Sequence, residues 1–220
     1  MSYILHIDTA TENAYVTLAE NGIPLQTVFN STQQDHAAFL QPAIKEMMGK
    51  LSISLNELDA IAVNEGPGSY TGLRVGLASA KGLCYALGKP LITISGLYLM
   101  AKALKPGITD QFICPMIDAR RMEVFTSVFN NEMQEIIPAT AIVLTQDTFK
   151  EIIKNKPVII CGNGAKKFMQ ITTLAQIEYR QLPALQPAIS EIANVYFISK
   201  RFTDLAYSEP LYLKAFYDNR

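Results

Sequence analysis

The residues best placed to do chemistry are two aspartates, each closing an apolar run: Asp8 at the end of YILHID and Asp118 at the end of FICPMID. A carboxylate at the mouth of a strand can orient a metal-bound water or a phosphate. It can equally end the strand by accepting from nearby backbone N–H groups, and both readings stand on the residues alone. Two short basic pairs, Arg120-Arg121 and Lys166-Lys167, fall in the loops Asp118 to Glu123 and Gly162 to Lys167. They offer contacts to phosphate or an RNA backbone, or serve as solvated surface.

The most distinctive segment runs from Gly66 to Gly82, GPGSYTGLRVGLASAKG. No Lys-Ser/Thr pair follows its loop glycines, so it is not a Walker A loop. Nor do its glycines flank Ser69 as a nucleophile elbow requires. It reads as a strand-to-helix turn with Ser69 or Thr71 as cap and first-turn N–H groups available to an anion. Within the helix Gly72, Gly76 and Ala80 recur every four residues, with Ala78 and Gly82 beside them. Each helical glycine costs roughly 1 kcal/mol relative to alanine, so something must approach closely enough to offset it: the chain's own sheet or a helix of a second chain.

His6 lies inside a strand pattern and His36 opens a helix, with no second His or Cys in reach along either element. No metal site is expected there; His6 should pack in the sheet and His36 should be a helix-terminal contact. Cys84, Cys114 and Cys161 are odd in number, far apart and set among apolar neighbours, which predicts reduced core thiols.

A repeated pattern must position these residues. Tyr3 to Asp8, Ala14 to Ala19 and Leu25 to Phe29 read as strands, the last two joined at Asn21-Gly22. Asp35 to Met48 has helical spacing, with Asp35 as candidate N-cap and Pro42 as candidate kink. A buried strand (Leu58 to Val63), a helix (Thr71 to Leu87), a strand (Leu91 to Ser95) and a helix (Leu97 to Leu104) follow. The second half begins again with strands Phe112 to Asp118, Glu123 to Phe129 and Gln134 to Ile137. A helix from Thr145 to Ile153, a strand Val158 to Cys161, a loop and helix over Gly162 to Ile171, and a long helix Pro187 to Phe202 complete it.

IDTATENAYVTLAEN from Ile7 aligns with IDARRMEVFTSVFNN from Ile117, and each half places a Gly-x-Gly after its later strand, Gly66-Pro67-Gly68 and Gly162-Asn163-Gly164. Two correspondences in the same order point to an internal duplication. The expectation is an α/β protein of two βββαβα lobes, residues 1–105 and 106–220, parted at Pro106-Gly107. The last segment is left to pack back on the first lobe. In such an architecture the first strands of both lobes end at a shared cleft, which would set Asp8 against Asp118.

The 220 residues carry 19 Lys plus Arg against 20 Asp plus Glu, a net charge of −1. That balance lacks the basic excess an unaided grip on RNA requires. No apolar run approaches the roughly 20 residues of a spanning helix, and no basic leader precedes the first strand. A soluble, cytoplasmic protein with no membrane association is expected.

ILHIDTAT, GPGSYTGLRVGLASAKGL, SGLYLMAKAL, MIDARRMEVF and EPLYLKAF together resemble the TsaB (YeaZ) family over nearly the whole chain. The resemblance implies the actin-like ATPase (ASKHA, ribonuclease H-like) fold. It also implies a non-catalytic paralogue of TsaD, the enzyme that moves a threonylcarbamoyl group onto the adenosine beside the tRNA anticodon. TsaD and TsaE are the implied partners, with tRNA reached through the complex; an apolar docking surface left without TsaD is expected to self-associate into a homodimer. The implied docking surface lies on the helices matched by Asp35 to Met48 and Thr71 to Leu87: Phe39, Leu40, Ala43, Met47, Gly72, Val75, Gly76 and Ser79. Asp8, Thr9, Thr11, Asp118 and Arg120 are the candidate cleft contacts for nucleotide or TsaE.

Where TsaD carries a His-x-x-x-His metal pair, this chain reads Gly96-Leu97-Tyr98-Leu99-Met100-Ala101. The C-terminal lobe has only Gly162-Asn163-Gly164 in place of a glycine-rich nucleotide loop. The resemblance thus implies no catalysis and no cofactor of its own, with ATP or ADP at an interface of the complex. A peptidase acting alone and a free-standing sugar or acetate kinase are the rival classes; the kinase would hydrolyse ATP in isolation.

Overall fold

The computed structural model describes residues 1–30, 35–105, 107, 109–154 and 156–214. Pro106 of the expected boundary and the Ala215-Phe216 end of the EPLYLKAF motif lie outside them. The chain divides into two compact units, one of Met1–Gly96 with Gln186–Leu211, the other of Leu97–Leu185 with Tyr212 onward.

In the first unit β1 (Tyr3–Asp8), β2 (Ala14–Glu20), β3 (Ile23–Asn30), β4 (Ala60–Gly66) and β5 (Leu91–Ser95) form a sheet ordered β3-β2-β1-β4-β5. β2 and β3 turn at Asn21-Gly22, whose φ values of 50° and 82° are the left-handed pair that a tight hairpin needs. β4 and β5 extend the sheet in parallel, so each needs a crossover. α1 (His36–Leu51) and α2 (Tyr70–Leu87) supply them.

Strand alternation then sorts the side chains. Leu5, Ile7, Val16, Leu18, Ile61 and Val63 pack with Leu40, Ile44 and Met47 of α1 and with Leu77, Ala80 and Cys84 of α2. His6 points to the opposite face, where it meets Ser190 of α6 (Gln186–Ile198).

The second unit repeats the plan. β6 (Phe112–Asp118), β7 (Glu123–Phe129), β8 (Glu135–Val143), β9 (Val158–Cys161) and β10 (Ile177–Tyr179) are ordered β10-β9-β6-β7-β8, the same topology strand for strand. α4 (Lys150–Ile153) and α5 (Ala165–Met169) are short. α3 (Gly96–Leu104) belongs to this unit because Leu97, Met100, Ala101 and Leu104 pack on Ile113, Ile117, Phe129 and Ile159. The division therefore falls ahead of α3, at Gly96/Leu97, where the sequence places it at 105/106, and residues 186–211 join the first unit.

Several local expectations change for identifiable reasons. The helix expected from Thr145 shrinks to Lys150–Ile153 because Phe149 takes a left-handed φ of 69° at its start. The final helix stops at Ile198, and Lys200 beyond it has φ 54°. Asp35 sits at the N-cap of α1 without a side-chain capping bond. Pro42 stays inside α1 on its exposed side without ending it. The three cysteines are free and buried, and burial pushes the thiols of Cys84 and Cys114 up to about 11 and about 12, so both are held protonated. Among the described residues no helix is long and apolar enough to cross a membrane.

Candidate functional site

Asp8 ends β1 and is 9% exposed. Its Oδ1 accepts from the Ala10 N–H at 3.0 Å and its Oδ2 from Asn64 Nδ2 at 2.9 Å. Asn64 Oδ1 in turn accepts from the Gly66 N–H at 2.9 Å. Burial pushes the Asp8 carboxyl above the usual carboxylate range, against the two hydrogen bonds and nearby His36, which pull it down. Across the ladder, burial and the charge of Asp8 together raise the Tyr15 phenol. Asn64 is a site residue the sequence reading missed; its one signal is a polar residue closing the apolar run AIAV.

The next residues are locked to α2. Thr9 is fully buried and its Oγ1 donates to the Gly72 carbonyl at 2.6 Å. The Ala10 carbonyl accepts from the Ser69 N–H at 2.7 Å. Thr11 is half-buried, and its carbonyl lies 3.0 Å from His36 Nε2. A Cβ at Gly68 would fall on the Ala10 carbonyl, one at Gly72 on the Thr9 carbonyl, and one at Gly76 on Thr9 Oγ1.

The glycine stripe is therefore explained within the chain: it lets α2 lie against the turn that follows β1. Ser69 is the cap, accepting from the Gly72 N–H at 3.3 Å. With the Ser69 and Gly72 donors engaged and Gly68 pressed on Ala10, this turn works as a clamp on Asp8-Thr9-Ala10 and does not fit a phosphate cradle.

The second unit clamps its first strand with the equivalent turn. The Gly164 N–H donates to the Met116 carbonyl at 3.1 Å, and a Cβ at Gly162, whose φ is +91°, would fall on that same oxygen. Asn163 Oδ1 accepts from the Asp118 N–H at 2.9 Å. The Asp118 side chain is 38% exposed, and its Oδ1 accepts from Lys167 Nζ and from the Arg120 N–H, each at 2.6 Å. Arg120 itself is exposed, with φ 68°.

Most of the expected docking residues are taken up by the first unit's own core. Leu40 and Met47 are fully buried and Ala43 nearly so; Phe39 and Val75 are half-buried against that core, and Ser79 is half-buried. Gly72 and Gly76 face Thr9. The same helices turn a different set of residues outward. Outward on α1 stand Ala37, Ala38, Gln41, Pro42 and Lys45; outward on α2 stand Thr71, Arg74, Ala78, Gly82, Tyr85 and Ala86. Among the described residues no group of three His, Cys, Asp or Glu is placed to hold a metal ion.

Two sheets of identical strand order, each with a Gly-x-Gly clamp at the end of its first strand, define a duplicated α/β protein of the actin-like ATPase fold. Residues 27–208 match the family model of TsaD: tRNA N6-adenosine threonylcarbamoyltransferase. The chain is 30% identical to the tRNA threonylcarbamoyladenosine biosynthesis protein TsaB of Haemophilus influenzae, across 96% of this chain and 93% of that one. It is 28% identical to the Escherichia coli protein of the same name, across 96% and 94%. The solved structure of YeaZ from Pseudomonas aeruginosa is similar with a TM-score of 0.79 at 23% identity, covering 97% of this chain and all of that one. The chain belongs to the TsaB (YeaZ) family.

Proposed function

We propose that this chain is an accessory, non-catalytic subunit in the formation of threonylcarbamoyladenosine in tRNA, binding TsaD through the outward faces of α1 and α2 and working with TsaE. Relatives matched over more than nine-tenths of their length bear the biosynthesis name. The observation that carries the docking reading is that α2 has two small-residue faces. The inner one, Gly72, Gly76 and Ala80, is occupied by the chain's own β1 turn and core. The outer one, Ala78, Gly82 and Ala86, is exposed, and a Cβ at Gly82 would meet nothing within 4 Å. A second helix can approach such a face closely.

The state of the strand ends favours a scaffold over an enzyme acting alone. Both oxygens of Asp8 and the hydroxyl of Thr9 are engaged inside the unit, which leaves little for a metal-nucleotide to use. In this reading ATP or ADP, like TsaE, binds at an interface of the complex. Without TsaD, the same outward face closes a homodimer.

Gly82→Leu tests the docking face, because the new side chain enters open space and leucine favours a helix over glycine. Light scattering on mixtures with TsaD should show pairing weakened by roughly tenfold or more, the scale of overpacking at a close contact. The melting temperature should not fall. Unchanged pairing by the folded variant would sink this assignment.

A further inference from the structure

The second unit carries charge that its own structure does not use. The turn between β6 and β7 places Arg120 and Arg121 at φ 68° and 48°, the left-handed region that glycine and asparagine enter most readily and long side chains avoid. Both arginines are exposed. Among the described residues neither makes an ion pair, and neither does Lys166 on the neighbouring α5. A long side chain held in an unfavourable backbone region calls for a contact, and among the described residues no ion pair supplies it.

The backbone beneath these cations is fixed. Lys167 Nζ donates to the carbonyls of Arg121 and Glu123 and pairs with Asp118. Lys214 pairs with Glu123, so both carboxylates of the tip are already answered. The Glu123 N–H closes the turn on the Arg120 carbonyl at 3.1 Å. Five cations thus stand against two carboxylates, a local excess of three, on a chain whose overall charge is −1.

We infer that this tip is a direct contact for the phosphodiester backbone of RNA, with Arg120, Arg121 and Lys166 as the charge-bearing groups. The inference rests on the tRNA reading above, and it adds a contact of the chain's own to a substrate otherwise reached only through partners. Guanidinium groups suit phosphate because they present paired donors and stay charged. An excess of three cations cannot hold RNA alone at physiological salt, but it adds to a surface that partners supply.

The test separates charge from backbone. In the double variant Arg120→Asn with Arg121→Gly, both new residues suit the left-handed turn, so the melting temperature should hold or rise. Binding of an unmodified tRNA transcript to the complex with TsaD and TsaE should weaken by about tenfold, and the slope of log affinity against log salt should shrink by about 1 to 2. Arg120→Lys with Arg121→Lys should keep most of the slope. Unchanged affinity and slope in an intact complex would overturn the inference, and so would loss of TsaD or TsaE with tRNA binding kept, since the tip would then dock protein. A second arm measures the chain alone with tRNA at low ionic strength. Weaker binding by the Asn-Gly variant supports the contact even if the accessory-subunit reading fails. Equal binding by both chains, or none by either, in that arm and no difference in the complex overturns it.

Discussion

Asp8 and Asp118 hold equivalent places, each the last residue of the central strand of a five-stranded sheet and each at a strand end against which a Gly-x-Gly turn packs, on Ala10 in the first unit and on Met116 to Asp118 in the second. Their surroundings diverge. Asp8 is sealed beneath Asn64 and the Ala10 N–H, and burial raises its carboxyl. Asp118 remains open to water and is paired with Lys167. A single backbone device therefore supports two opposite electrostatic states. The first unit has turned its strand end into core, while the second keeps its strand end as charged surface.

The largest effects should come from the clamp of the first unit. Gly76→Leu would drive a side chain into Thr9 and should destabilise the fold by about 3 kcal/mol, the upper range for overpacking, as read by denaturant unfolding. Gly76 is a stability position because a Cβ there would fall on Thr9 Oγ1. A Gly76→Leu chain as stable as wild type would show that the clamp is slack.

Two buried groups on one face of the first sheet should respond to pH in opposite senses. Burial lowers His6 to about 3 from 6.5, so the unfolded chain takes up its proton first. Stability from neutral His6 is complete above pH 6.5 and is lost as pH falls toward 3, at about 1.4 kcal/mol per pH unit within that window. His6→Gln should flatten the slope, and an unchanged slope would mean that water reaches the ring. Asp8 runs the other way. Its folded carboxyl keeps a proton to higher pH than the unfolded one, so its contribution is complete below the unfolded value and is lost as pH rises through the folded value. Stability relative to Asp8→Asn should therefore be best at low pH; a relative gain on raising pH would contradict the burial of the charge.

Asn64→Ala should cost about 2 kcal/mol, since it strips a donor from Asp8 and an acceptor from the Gly66 N–H in a buried setting. The matching change in the second unit, Asp118→Asn, breaks a partly exposed pair and should cost about 0.5 kcal/mol or less. Similar losses for the two changes would erase the contrast between sealed and open strand ends.

Much of this arrangement was legible in the residues. Ile7-Asp8 over Ile117-Asp118 and the two Gly-x-Gly turns revealed the duplication, because both depend on local patterns that recur in order. Helix faces were less legible. Gly72 and Gly76 announce that something comes close, but the identity of that neighbour, Thr9, depends on a contact 63 residues away in sequence. Asn64 was missed for the same reason, its role being set by Asp8 across a parallel strand pair. The late start of α4 escaped because a left-handed Phe149 leaves no mark in apolar periodicity.

The most direct measurement is threonylcarbamoyladenosine formation on tRNA by purified TsaD and TsaE, supplied with threonylcarbamoyl-adenylate and ATP, with and without this chain, and by the chain alone. Product only in the complete mixture is the expected result for an accessory subunit. Turnover by the chain alone, or full turnover in its absence, would contradict that role.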